Sequence, residues 1–388
     1  MNYKLELQKL QIKIDQTEEA AERKILLKQA IDIADANEDL YESIDLRYQL
    51  MDEEESADDR LVILKQSIQL ADAKNDLEEA FDLRLKLIGE ENDTSHCIDS
   101  FQAIAWLLEA VDNHPDLFKE EDVLWEYKWL AVSAVDNAAV SYEQIQNILE
   151  DLKSRLQRNG YGLGAYYVPK IAWQESTGDI EGALQTLQER DEYGRDGMSD
   201  CEACEQNKKI KIKLIVGRYE EALADMKEMQ MRKLSCAEVP YDTYCNLAYY
   251  LNKIDHPQAQ EYFEKGLNEI NSNDDSSIIT GVSKLINYAA YHNPEQALRL
   301  FEKYAHWQLN SEDNINFTVA LNFLPLFKQD RIIKLPALNP RLPFYKPEGE
   351  YRSRDLYEYY LETARKVGDA FDQRNRTDNY KKRIAAEL

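Results

Sequence analysis

Residues 27–51 (LKQAIDIADANEDLYESIDLRYQLM) recur as residues 64–88 (LKQSIQLADAKNDLEEAFDLRLKLI), displaced by 37 positions with 14 of 25 residues identical. A repeat of this length constrains the fold more than any single motif. Each unit is one supersecondary element that covers its apolar face only by stacking on a neighbour. The 388 residues therefore grow by addition instead of closing around one core. Glycine (13) and proline (10) are scarce and helix formers dominate, so the repeated element is helical.

A second set of repeats lies downstream, in TGDIEGALQTL, VGRYEEALADM, DHPQAQEYFEK and HNPEQALRLFEK. Their alanines Ala183, Ala222, Ala259 and Ala297 step by 39, 37 and 38, matching the first period. Gly178 and Gly217 suit the left-handed turn that ends a helix, Asp179 can cap the next, and Pro257 and Pro294 suit a first turn. The small alanine lets two antiparallel helices approach, and Leu187, Met226, Phe263 and Phe301, four residues on, fill the seam.

On the G-[DR]-[IY]-E-x-A-L core at 178–184 and 217–223, these units resemble tetratricopeptide (TPR) repeats. The likeness is good over 162–306 and weaker before it. It departs from the family in a period longer than 34, in lacking the Trp-x-x-Leu-Gly start, and in mostly lacking the final proline. Ligand motifs of the family therefore transfer poorly. The resemblance implies an all-α, right-handed TPR-like helical-repeat superhelix (α-solenoid) of about eight antiparallel helix pairs with a C-terminal helical cap.

Counting back from helices at 162–177 and 180–192 predicts helices near 141–158, 119–136, 96–112, 77–91, 58–74, 40–54 and 18–35. This pairs 40–54 with 58–74 and 77–91 with 96–112, leaving Asp39 and Asp76 between repeats, although NEDLYES and KNDLEEA also read as inter-helix turns and would give the opposite phase. After 306 comes a helix near 312–328, then IIKLPALNPRLPFYKPEGEY, whose four prolines force extended backbone. Residues 352–388 read as helix again. The expected organisation is acidic N-terminal repeats at 1–161, TPR-like repeats at 162–306, and a proline-containing linker with a helical cap at 307–388.

The net charge of −26 is uneven: residues 1–200 hold 45 acidic and 20 basic side chains, and residues 201–388 hold 28 and 27. Phosphates would be repelled by the first half, which argues against nucleic acid as partner, whereas a basic protein segment would be attracted. The plainer reading is a solvated acidic surface. MNYKLELQKL has no charged-then-apolar leader pattern and no stretch reaches 18 apolar residues, so a cytoplasmic protein without a membrane partner is expected.

Five cysteines make no disulfide framework. Cys201 and Cys204 form a C-x-x-C. Zinc would need two more ligands, and Cys236 and Cys245 lie on the next repeat. A redox reading would need a βαβ setting. The expectation is two small residues at a buried helix contact, with Ser199 or Asp200 capping the helix and no cofactor. Zinc binding and a thiol switch stand as alternatives, with Cys236 the extra candidate ligand. The histidines (His96, His114, His256, His292 and His306) have no ligand spacing, and neither a phosphate loop nor a nucleophile elbow occurs, so no catalytic residue is expected.

The 24 tyrosines and five tryptophans concentrate on first helices, which line the groove in TPR-like stacks. In LWEYKWL, Trp125 and Trp129 share a face and are expected in the core, with Tyr127 and Lys128 in the groove. Arg47 and Arg84, at equivalent places in the two copies, could clamp a carboxylate or bridge to acids on the next repeat. The candidate partner-binding residues are Arg47, Arg84, Tyr127, Lys128, Tyr166, Lys211, Tyr250 and Tyr291. Only Asn207 and Lys211 approximate the family's carboxylate clamp. The expected function is non-catalytic protein or peptide binding as scaffold, adaptor or regulator, with a ligand- or peptide-sensing regulator as the alternative.

Overall fold

The computed structural model describes residues 2–92, 94, 97–270 and 276–388. It is all-α, with nineteen α-helices and one two-stranded sheet among the described residues. The chain divides into two compact units, Met1–Glu126 and Tyr127–Leu388.

The first unit contains α1 (Tyr3–Gln16), α2 (Ala20–Ala36), α3 (Leu40–Asp52), α4 (Ala57–Lys74), α5 (Leu77–Asn92) and α6 (Ser100–Asn113). The duplication is also a duplication of packing. Leu27 and Leu64, Ala34 and Ala71, Leu46 and Leu83, and Leu50 and Leu87 are all buried at matching positions. The turns are the same too. Glu38 (φ 53°) and Asn75 (φ 56°) are left-handed, and the next amides, of Asp39 and Asp76, return to Ala34 and Ala71 carbonyls at 3.1 and 3.0 Å. Such closure satisfies the orphan carbonyls of a helix end.

The tight hairpins are thus α2/α3 and α4/α5, and Asp39 and Asp76 lie inside them. This corrects the expected pairing of 40–54 with 58–74. The same closure recurs at Gly178 and Gly217, where the Asp179 and Arg218 amides reach Gln174 and Lys213 carbonyls at 2.8 and 2.9 Å. Counting back assumed strict alternation of tight and loose connections. The stretch between the two sets of hairpins includes α6 and the 3₁₀ turn at Glu120–Val123, and the alternation does not survive it.

The second unit takes up the chain within α7 (Leu124–Asp136). It continues with α8 (Tyr142–Arg158), α9 (Gly164–Thr177), α10 (Ile180–Glu192), α11 (Glu202–Ile215), α12 (Tyr219–Met231), α13 (Tyr241–Asn252) and α14 (Ala259–Ile270). Then follow α15 (Ile279–His292), α16 (Pro294–Tyr304), α17 (Asp313–Phe327), β1 (Ile332–Lys334), β2 (Glu350–Arg352), α18 (Ser353–Asn375) and α19 (Asn379–Glu387). Helices α9/α10, α11/α12, α13/α14 and α15/α16 are hairpins, and α11, α13, α15 and α17 pack in succession. The four seam alanines and the large residues four positions on are buried. Pro294 opens α16 as expected, whereas Pro257 sits in the turn before α14.

The proline-rich segment is closed by a short antiparallel ladder, with Ile333 opposite Tyr351. Beyond it α18 does more than finish the stack. It packs along α17 and reaches back to α9, and α19 packs on α17 and α18. Asn375 and Asn379 donate to the Ser176 carbonyl at 2.9 and 3.0 Å, taking up a helix-end acceptor of α9. Ser176 Oγ meets the Tyr380 hydroxyl at 3.1 Å and accepts from Arg374 at 3.2 Å and Asn375 at 3.0 Å.

Candidate functional site

This fold-back completes a cavity of about 540 Å³ in the second unit, lined by α9, α11, α13, α15 and α17 with α19 across them. Five cations line it: Lys208 and Lys211 from α11, Lys253 just past α13, Lys284 from α15 and Arg383 from α19. Lys208 and Lys211, three residues apart on one face, both hold Glu175 of α9, at 3.1 and 2.7 Å. Lys284 is buried and donates to Asn246 Oδ1 at 2.7 Å, with Asp242 at 3.6 Å. Lys253 and Tyr249 share Glu387 of α19. Arg383 lies over the rings of Phe317 and Tyr380, with its guanidinium 3.4 Å from Thr318 Oγ1 and no carboxylate partner among the described residues.

Two carboxylates facing the same lysines behave in opposite ways. For Glu175, desolvation acts upward, but the charges and hydrogen bonds of Lys208 and Lys211 overcome it and hold the group at about 2. For Asp136, desolvation dominates and pushes the group up to about 6, against the pull of Lys211 and Lys208. Asp136 accepts a hydrogen bond from the Asn314 amide at 2.9 Å. Desolvation also lowers Lys284 and raises Tyr249 and Tyr250.

Of the residues singled out from sequence, Lys211 and Tyr250 line this cavity. Tyr166 is half-buried, with the Lys153 ammonium 5.7 Å from its ring. Tyr291 is 60% exposed and outside the lining. Asn207 is engaged in structure, donating to Asp242 at 2.9 Å and accepting from Thr243 at 2.8 Å. Asp136, Glu175, Lys208, Lys284 and Arg383 were missed. Only Lys208 had a sequence signal, its spacing from Lys211.

The assignment within LWEYKWL is reversed. Tyr127 and Lys128 are buried and Trp125 and Trp129 only half-buried. The buried face of α7 is the one that continues through Ala131, Ala134 and Val135. Burial of two polar tips is tolerated there because each finds partners. Tyr127 donates to Asp151 at 2.9 Å; Lys128 Nζ donates to Asp200 at 2.6 Å and to the Met198 carbonyl at 3.1 Å.

Arg47 and Arg84 are likewise buried, which takes them out of the groove role. Arg47 forks onto Asp35 at 3.0 and 2.8 Å, and Arg84 holds Asp72 at 2.8 Å with its guanidinium 4.0 Å over Trp106. Each acid is on the preceding helix of the same hairpin and not on the next repeat as expected. Arg23 with Glu53 and Arg60 with Glu90 repeat at the same offset, so the duplication extends further back than the identical residues suggest.

The cysteines also depart from expectation. The α11 N-cap is Cys201 itself, whose sulfur accepts from the Cys204 amide at 3.4 Å. Cys201 is exposed, so the pair is not a buried helix contact. Cys236, from the segment between α12 and α13, lies with its sulfur 3.5 Å from that of Cys204. Burial, then the neighbouring thiols, pushes the Cys204 thiol up. Cys245 is buried in α13, and His96 lies outside the described residues.

In comparison with known proteins, no family model and no curated protein matches this chain. Among the described residues, no helix is long and apolar enough to cross a membrane.

Proposed function

We propose that the second unit is a non-catalytic, TPR-like binding module whose cavity takes a carboxylate-bearing ligand, either a small organic acid or the acidic end of a peptide. The observation that carries this is charge. In a chain of net charge −26, five cations line one cavity against three carboxylates, Asp136, Glu175 and Glu387. Among the described residues Arg383 has no carboxylate partner and the Tyr250 hydroxyl makes no hydrogen bond. Both therefore remain for a ligand. A volume of about 540 Å³ suits an occupant of that size.

Calorimetric titration with a panel of dicarboxylates and short acidic peptides tests the reading, with free and amidated C-termini compared. Arg383→Ala should weaken binding by about tenfold or more, as expected for a charged hydrogen bond, and Tyr250→Phe by less. Binding that survives Arg383→Ala unchanged, or a preference for cationic peptides, would overturn it. A second reading rests on the first unit, which holds 33 acidic against 13 basic residues. It would attract a basic protein segment, with association slowing steeply as salt rises.

A further inference from the structure

We propose that Cys201, Cys204 and Cys236 form a three-thiolate site for a soft divalent cation, zinc in the first instance, whose fourth position is open to water or an external ligand. This is independent of the cavity reading. The three sulfurs all lie within 4.8 Å of one another. Zn–S bonds of about 2.3 Å place the sulfurs of a tetrahedral site about 3.8 Å apart. An ion thus enters with sulfur movements of a fraction of an ångström up to about 1 Å, which side-chain rotation supplies.

The backbone on both sides is built for this. Cys201 and Cys204 are three apart at the start of α11, so their side chains share a face. The Cys201 sulfur is held in place by accepting from the Cys204 amide at 3.4 Å. The approach to Cys201 is anchored by buried Lys128, which holds the Met198 carbonyl and Asp200. Cys236 is fixed by its own amide, which donates to the Val239 carbonyl at 2.9 Å. Three thiolates and one divalent cation leave one negative charge. Two guanidiniums attach beside the site, each already paired with a carboxylate: Arg195 donates to the Asp200 carbonyl and holds Glu205, and Arg232 pairs with Glu202. Zinc would tie the start of α11 to the segment leading into α13, two helices that line the cavity.

The test uses the full chain, purified under reducing conditions, stripped with chelator and titrated with cobalt and zinc. One equivalent of cobalt should give a sulfur-to-cobalt charge-transfer band, and one equivalent of zinc should abolish it. Cys201→Ser and Cys236→Ser change exposed side chains, so circular dichroism should show the fold retained. Each should weaken zinc binding by more than about tenfold, since even outer-shell losses cost 10–100-fold. Cys97→Ser, in the other unit, should change nothing. Uptake well below one equivalent, or unchanged affinity in the folded Cys236→Ser variant, would overturn the assignment. So would a Cys204–Cys236 disulfide in protein that takes up no metal after reduction.

Discussion

Asp136 and Glu175 show how little separates a fixed charge from a titrating one. Glu175 takes both lysine ammoniums directly; Asp136 loses water and gains the Asn314 amide and the longer-range pull of the same lysines. Their contributions to stability have opposite signs. Glu175, depressed to about 2, stabilises the fold above its ordinary value of 4.5, and that stability is lost as pH falls toward 2. Asp136, raised to about 6, is protonated more readily in the folded chain. Its contribution therefore declines as pH rises from 3.8 through 6. Protonating Asp136 removes a negative charge beside Lys208 and Lys211; Arg374 and Tyr380 also face it. Affinity for an anionic ligand should thus rise as pH falls from 7 to 5, by at most about tenfold per unit. Asp136→Asn should flatten that rise in a pH series of calorimetric titrations. An identical slope in the variant would remove Asp136 from the account.

At the scale of the element, the duplicated hairpins place residues other than glycine in the left-handed turn. Glu38 and Asn75 hold φ of 53° and 56°, as Asp255 does at 51° in α13/α14, where α9/α10 and α11/α12 use Gly178 and Gly217. That conformation costs an ordinary residue about 1–2 kcal/mol, and asparagine less. Glu38→Gly should therefore stabilise the first unit by about 1 kcal/mol, and Asn75→Gly by less, read from urea midpoints. A lower midpoint for Glu38→Gly would show that its exposed pairing with Lys74 matters more.

The helices themselves were legible, because apolar spacing and turn residues are local. The hairpin phase was legible only as two alternatives, because NEDLYES and KNDLEEA read as turns but carry no glycine to decide between them. The site was legible only in part. Lys211 and Tyr250 follow from repeat register, but Arg383 and Glu387 arrive from a helix folded back over the stack. Cys236 joins Cys204 only through the packing of successive hairpins. No spacing rule reports such meetings.

At the scale of the whole molecule, each unit is first a run of neighbours touching neighbours, and such arrays open from their ends. In 127–388, however, Ser176 meets Tyr380 across 204 positions of chain, and Arg374, Asn375 and Asn379 converge on the same turn of α9. Ser176→Ala takes one partner from three buried groups at once and should cost about 1–3 kcal/mol. Hydrogen exchange makes the sharper measurement. In the parent chain, amides of α9 and α18 should exchange as one cooperative block. In Ser176→Ala the block should split, with α18 and α19 exchanging ahead of α9. Equal protection before and after the substitution would mean that the clasp contributes nothing. If it holds, the last helix cannot fray alone. Partial opening, the usual weakness of a repeat array under proteolysis, becomes nearly as rare as global unfolding, and the segment from α9 to α19 survives or is lost as a single piece.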